Sequence, residues 1–222
     1  MSEPLPELFS HPFAAFCWKA LIALYERDIA FEYRQVGGDF PDNQARLERL
    51  WPVAQFPVLV HRGRTLVETA VIIDYLDVAF DGAPPMIPKD RIEALEARML
   101  DGVIDDYVAA PMQRIVADFM RPPAEREVGT IAQAKATLDK SYDWLDARLA
   151  GRSWGAGDDF GLADCAAAPA LFYADWVHPI GNQRPRLASY RAKLLARPSV
   201  KRVVDDARPY RHYFPPGAPD RD

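Results

Sequence analysis

The stretch Gln55-Phe56-Pro57-Val58-Leu59-Val60, with its continuation Thr65-Leu66-Val67-Glu68-Thr69, constrains this chain most. The first run reads as an apolar strand and the second as its hairpin partner. His61-Arg62-Gly63-Arg64 supplies the turn, where Gly63 is free to take a positive φ. A proline at the mouth of such a strand removes a ladder donor. It is best explained as a cis bond that bends the chain and leaves the Phe56 backbone available for pairing. Glu68-Thr69 then opens a helix with apolar period at Ile72, Tyr75, Leu76 and Ala79. A hydroxyl and free N–H groups at a helix start make an anion site, and the neighbouring Glu68 can receive an ammonium. Together they offer a seat for a zwitterionic α-amino acid head group. The same pattern also fits a strand, a turn and a helix start with no ligand.

Upstream, Glu7-Leu8-Phe9 reads as a short first strand and Ser10-His11-Pro12-Phe13 as a loop. Ala14 to Arg27 is helical by spacing, Ile29 to Arg34 alternates as a strand, and Asn43 can cap a short helix ending at Leu50. The order is β-α-β-α-β-β-α, with a right-handed parallel crossover between the first two strands. Asp81-Gly82-Ala83-Pro84-Pro85 then reads as a linker, dividing residues 1–82 from an all-helical part at 83–222. In that part Ile92, Leu95, Met99 and Val103 mark a long helix from Pro88, and Ile115, Phe119 and Met120 mark its successor. Ile131, Ala134, Leu138, Tyr142, Leu145 and Leu149 mark a third, with Gly151 just past its end. Phe160-Gly161-Leu162-Ala163-Asp164-Cys165 carries a helix-start signature, Asp164 reaching back to the cap N–H. Pro185 to Ala196 and Pro198 to Ala207 complete the helices, and the aromatic tail through Phe214 is expected to pack as an irregular strip.

The chain has 222 residues, 49% of them apolar, and a formal net charge of −5. The excess acid lies before the linker. No basic block points to nucleic acid or an anionic membrane. No run is long enough to span a bilayer, and Met1-Ser2-Glu3-Pro4 has no features of a secretion signal, so a cytoplasmic location is expected. The two cysteines, Cys17 and Cys165, have no metal-ligand spacing, and no metal is expected.

These features, in this order, resemble the cytosolic glutathione transferase family: a thioredoxin-like β-α-β-α-β-β-α domain followed by an all-α domain. Phe56-Pro57 looks like the family's cis-proline, Glu68-Thr69 like its Glu/Gln-Ser/Thr pair, and Gly161-Leu162-Ala163-Asp164 like its capped helix. The resemblance implies that Phe56 pairs with the cysteinyl amide of glutathione. It also implies that Glu68 and Thr69 hold the γ-glutamyl end and that Gln55 lies near the glycine carboxylate. The second substrate would lie between the domains, with Phe13, Tyr107, Met112, Ile115, Phe119, Tyr173, Trp176, Tyr210 and Phe214 as candidate lining, although apolar residues at helical spacing are more often core. Arg114 beside that stripe is expected to face solvent. A homodimer is likewise implied, although periodicity alone identifies no exposed seam.

The sequence departs from the family where the thiol is activated. The place of the usual Tyr, Ser or Cys falls at Ala14, which has neither hydroxyl nor sulfur. Cys17, near a helix start, and Ser10, if its loop folds inward, are the candidate catalytic groups; His11 or a backbone N–H near Phe13 to Phe16 are others. The leading expectation is a transferase that adds glutathione to a hydrophobic electrophile or reduces organic peroxides with it. The alternatives are a thiol-disulfide reductase using Cys17, and a non-catalytic member kept for glutathione binding or protein association.

Overall fold

A computed structural model describes residues 4–222. The first part runs β1 (Glu7–Ser10), α1 (Ala15–Glu26), β2 (Glu32–Gln35), α2 (Pro41–Leu50), β3 (Val58–His61), β4 (Arg64–Leu66) and α3 (Thr69–Ala79). This is the expected β-α-β-α-β-β-α order. The four strands lie in the order β2-β1-β3-β4. β1 and β2 are parallel, with Leu8 opposite Tyr33, while β3 is antiparallel to both β1 and β4. Arg62 (φ 50°) and Gly63 (φ 72°) turn the β3–β4 hairpin, both on the positive side that a tight two-residue turn requires. Alternation divides the sheet. Leu8 and Leu59 join the large core beneath α1 and α3, whereas Phe9 and Val58 face α2 with Val36 and Leu47.

Two local expectations shift. β2 begins at Glu32, three residues later than the alternation suggests, where the Glu32 N–H first reaches Pro6 O at 2.8 Å. Asn43 does not cap α2. The helix already starts at Pro41, and the Asn43 amide instead donates to Gln35 O at 2.8 Å, fastening α2 to the end of β2.

The second part is helical. α4 (Arg91–Ile104) and α5 (Ala110–Phe119) form one rod joined by a wide π turn at Asp105–Ala109. Pro111 explains the wide turn: it has no N–H for the carbonyl four residues earlier, and its ring would crowd that oxygen. Tyr107 O is instead satisfied by the Ser141 hydroxyl at 2.9 Å. The rod starts at Arg91 rather than at Pro88, because Asp90 caps it by accepting the Ile92 and Glu93 N–H groups at 2.9 and 3.0 Å. Its large apolar stripe points outward: Ile92, Leu95 and Met99 are 72%, 64% and 44% exposed. The inner face uses Ala94, Ala97, Leu100 and Ile104, which let α4 approach α7.

α6 (Val128–Arg148), α7 (Leu162–Val177), α8 (Pro185–Leu195) and α9 (Pro198–Ala207) follow, and Arg208–Tyr213 forms a short 3-10 stretch. α7 is the central post. The carboxylate of Asp164 accepts the N–H groups of Gly155 and Gly161, each at 2.9 Å, and the Tyr190 hydroxyl at 2.5 Å. Gly161 is required there, since a Cβ would stand 2.5 Å from Met86 O. Trp18 of α1 packs on α7 through Phe172 and Tyr173, with ring centroids 4.9 and 5.2 Å apart. Among the described residues, no helix is long and apolar enough to cross a membrane and no group of three or more His, Cys, Asp or Glu is placed to hold a metal ion.

Candidate functional site

Three segments converge beside the N-terminus of α1. The first is the turn before β3. The Phe56–Pro57 bond is cis, Pro57 is buried, and the Phe56 ring packs into the small cluster with Phe9 and Val58. Ala54 just ahead of it holds φ 58°, and Gln55 is exposed. The second is the start of α3, where exposed Glu68 stands in the cap position at φ 66°, outside the regions comfortable for an L-residue. Its side chain makes no cap hydrogen bond, and Thr69 behind it is 7% exposed. The N–H groups of the first turn therefore face outward at the positive end of an 11-residue helix.

The third segment is the β1–α1 loop, which is tightly pinned. The Trp18 indole donates to Pro12 O at 2.6 Å, and the Tyr173 hydroxyl donates to Phe13 O at 3.0 Å. The His11 backbone N–H donates to Cys17 Sγ at 3.3 Å, and the Phe13 N–H donates to His11 Nδ1 at 3.1 Å. That last bond settles the imidazole tautomer: Nδ1 accepts, so the proton sits on Nε2. Partial burial lowers the His11 pKa, which favours this neutral form. The ring lies between Tyr210, edge-on at 5.2 Å, and Phe56 at 6.5 Å. Ala14 is the N-cap of α1 and has no side chain to offer to the cap.

This loop encloses both candidate catalytic residues. Cys17 is fully buried, and desolvation pushes its thiol up to about 11 despite the help of Ser10 and the His11 N–H. A thiol so placed is protonated at neutral pH and out of reach of a disulfide; its role here is to accept the His11 N–H. Ser10 is also fully buried, its hydroxyl enclosed beside the Cys17 thiol and the Tyr33 phenol rather than directed to the loop surface.

Behind Glu68 lies a charge cluster that sequence reasoning missed. Lys19 of α1 is 1% exposed, and its ammonium lies 2.5 Å from Asp101 and 2.7 Å from Asp105. Burial raises the pKa of both carboxyls, against the attraction of Lys19, and the charge of Glu68 raises that of Asp105 further. The cluster holds two carboxylates against one ammonium, so the ground behind Glu68 remains acidic and suits a second cation. The available signal was the i, i+4 spacing of Asp101 and Asp105, together with a lysine inside the apolar stretch of α1.

The expected apolar lining is only partly brought together. Phe13, Tyr173, Trp176 and Phe214 form one aromatic cluster, with centroids 5.5 Å apart for Phe13–Tyr173, 5.5 Å for Tyr173–Trp176 and 5.1 Å for Trp176–Phe214. Tyr210 stands apart, on the far side of His11, where its hydroxyl accepts from Gln35 Nε2 at 2.9 Å. Met112 and Ile115 are 3% and 2% exposed and belong to the helical core, not to a lining. Tyr107 is exposed on the π turn, and Phe119 carries Arg126 over its ring at 4.6 Å, away from the aromatic cluster. Arg114 faces solvent, as expected.

Comparison with known proteins agrees with this fold. Residues 8–84 match the glutathione S-transferase N-terminal domain, and residues 128–193 match the glutathione S-transferase C-terminal domain. A probable glutathione S-transferase of Nicotiana tabacum is 33% identical over 156 residues, covering 70% of this chain but only 65% of that protein. A stringent starvation protein A homolog of Coxiella burnetii is 28% identical, covering 93% of this chain and 95% of its own length. Among solved structures, a Methylobacterium radiotolerans glutathione S-transferase in complex with glutathione sulfonate aligns over 90% of this chain and 94% of its own. That alignment has a TM-score of 0.77 at 26% identity. With both of its domains matched in order on the fold described, this chain belongs to the glutathione S-transferase family.

Proposed function

We propose that the protein binds glutathione in the angle between α1, α3 and the Phe56–Pro57 turn and uses its thiolate to attack a hydrophobic electrophile or reduce an organic peroxide. The observation that carries this reading is the convergence of three complementary groups. Outward N–H groups at the start of α3 suit the γ-glutamyl carboxylate, with Glu68 and the acidic ground behind it for the ammonium. The Phe56 backbone suits the cysteinyl amide, and the N-terminus of α1 suits the thiolate. Gln55, being exposed and neutral, would contribute only a weak contact to the glycine carboxylate.

Activation without a hydroxyl at position 14 is energetically accessible. A free thiol titrates near about 8.5, and lowering it by two units takes about 2.7 kcal/mol. A helix N-terminus supplies roughly 0.3–2 kcal/mol and one hydrogen bond to a charged group about 1.5–3 kcal/mol. The Nε2–H of His11 is the side-chain donor this loop offers, its Nδ1 being engaged by the Phe13 N–H. A Cys17-based reductase is disfavoured by the burial and raised pKa of that thiol.

The decisive experiment is the ultraviolet thiolate absorbance of bound glutathione, titrated against pH, alongside calorimetric binding. Bound glutathione is expected to ionise well below the free thiol. Thr69→Ala with Glu68→Gln is expected to weaken binding roughly tenfold or more. Binding with an unshifted thiol would favour the non-catalytic reading, which Ala14 supports, and absence of binding would remove the site.

We infer a homodimer as its working form. Val71 and Val78 of α3 are 51% and 82% exposed beside Ile92, Leu95 and Met99 of α4, a contiguous kind of apolar surface that soluble monomers rarely leave open. Arg98 and Asp74, paired at 3.1 Å and each about half exposed, place opposite charges on the same face, as a two-fold contact requires. Leu95→Glu is expected to halve the mass measured by sedimentation; an unchanged mass would reject this surface.

A further inference from the structure

We propose that the cleft between β2 and α9 is a second binding site, independent of glutathione, for flat aromatic organic cations. The cleft has a volume of about 790 Å³, within the range that holds a small molecule. Its floor is the edge strand and the segment before it. Tyr33 and Gln35 project from β2 toward α1, and Phe31 precedes them. One wall is the end of α1 with Tyr25, the other is α9 with Arg202 and Asp206, and Tyr210 closes one end.

Two observations define the ligand. The first is an aromatic run. Tyr25 and Phe31 have centroids 5.9 Å apart at 39°, and Phe31 and Tyr33 6.4 Å apart at 50°. Their faces turn progressively along the cleft and offer a flat ring several stacking positions. One face is already used by a cation: the Arg202 guanidinium lies 3.9 Å from the centre of the Tyr25 ring.

The second observation is the sign of the rim. The lining carries Asp28, Asp205 and Asp206 against the single cation Arg202. Asp205 is neutralised by Lys201 at 2.6 Å and Arg208 at 3.0 Å. Asp28 and Asp206 enter no ion pair among the described residues, so two carboxylates face one guanidinium that is stacked on Tyr25. The phenols add no charge, because burial raises both Tyr25 and Tyr33. A flat cation seated on the aromatic run finds ring faces and the two unpaired carboxylates together.

The cleft is separate from the proposed glutathione site, with no lining residue among Gln55, Phe56, Pro57, Glu68 and Thr69. The two adjoin at Tyr210, which touches His11 edge-on, and at Pro12 of the β1–α1 loop, which lines the cleft. The proposal therefore does not depend on glutathione binding.

The test titrates the full-length protein with proflavine, a flat monocation at pH 7, and with anthracene-2-carboxylate, an anion of similar shape, by fluorescence at low salt. Proflavine is expected to bind once per chain and more tightly than the carboxylate, and saturating glutathione is expected to leave its affinity unchanged. Asp206→Asn is expected to weaken proflavine roughly fivefold. Arg202→Ala is expected to strengthen it by a similar factor, by freeing the Tyr25 face. Phe31→Ala, checked by circular dichroism for an intact fold, is expected to remove most of the binding. The proposal is overturned if the carboxylate binds as tightly as proflavine, if Asp206→Asn and Arg202→Ala both leave proflavine unchanged, or if glutathione displaces it. Proflavine binding with no glutathione binding would uphold this site while removing the other.

Discussion

Replacing Lys19 with methionine will destabilise the fold by about 3–5 kcal/mol at pH 7, the range found when one partner of a buried ion pair is removed. The side chain is 1% exposed, and its ammonium is held between Asp101 and Asp105. Methionine fills a similar volume, so the loss reports electrostatics rather than a cavity. Two carboxylates are then left without their cation, one of them 6% exposed, in contact with the apolar packing of α1 and α7. The pH dependence identifies the cause. Both carboxyls have raised pKa values because burial outweighs the attraction of Lys19. A carboxyl with a folded pKa above its unfolded value binds protons more tightly when folded, so stability falls as pH rises through the folded value. Removing Lys19 raises both values further. The deficit is therefore largest near neutrality and shrinks as the pH falls toward about 4, where the unfolded carboxyls protonate as well. Urea unfolding at several pH values checks this, with K19M/D101N/D105N as the companion variant, expected to recover most of the loss. A deficit independent of pH, or one persisting in the triple variant, would assign the effect to packing.

The same cluster marks the boundary of what the sequence discloses. Contiguous features are legible. The Phe56-Pro57 turn, the Glu68-Thr69 helix start and the capped start of α7 each state their chemistry within a few residues, and each lies where expected. Features that depend on which side of an element faces inward are not. The stripe Ile92, Leu95 and Met99 has a helical period, yet periodicity cannot say whether the larger side chains line a core or an outer face. Here the close approach of α4 to α7 reserves the inside for Ala94 and Ala97. The pairing of Lys19 with Asp101 joins α1 to α4, and the lysine and the spaced acids signal it only separately, not as a pair. Met112 and Ile115 illustrate the same difficulty: helical spacing fits lining and core alike, and the packing puts both in the core. The thiol-activating loop is the extreme case. Ser10 and Cys17 carry suitable atoms, but hydrogen bonds from Trp18 and Tyr173 fix a loop conformation that encloses both and leaves His11 at its edge.

Replacing His11 with alanine will raise the pKa of the bound glutathione thiol by about one to two units, the value of one hydrogen bond to a charged acceptor. This follows from the proposed glutathione site and from the fixed tautomer, in which Nδ1 accepts the Phe13 N–H and Nε2 retains the proton. A neutral imidazole donates to a thiolate and not to a thiol's proton, so the bond favours the ionised form selectively. At pH 6.5, where a thiol lowered by two units is half ionised, the thiolate fraction, and with it kcat/KM toward a common electrophile, is expected to fall roughly 5–50-fold. The deficit should close above about pH 9, where the thiol ionises unaided. Two further variants separate donation from loop geometry. His11→Gln keeps a donor near the Nε2 position and should recover part of the lost ionisation, whereas His11→Asn can replace only the contact to the Phe13 N–H and should not. Ala14→Ser, which restores a hydroxyl at the α1 cap, should lower the thiol pKa in the wild-type background and rescue the His11→Ala variant. An unchanged thiol pKa in His11→Ala, or equal rescue by Asn and Gln, would transfer the role to the helix N–H groups alone. Those groups supply at most about 2 kcal/mol, just short of the two-unit shift. An enzyme relying on them alone would therefore work best at alkaline pH, and the position of its pH optimum would report which of the two activates the thiol.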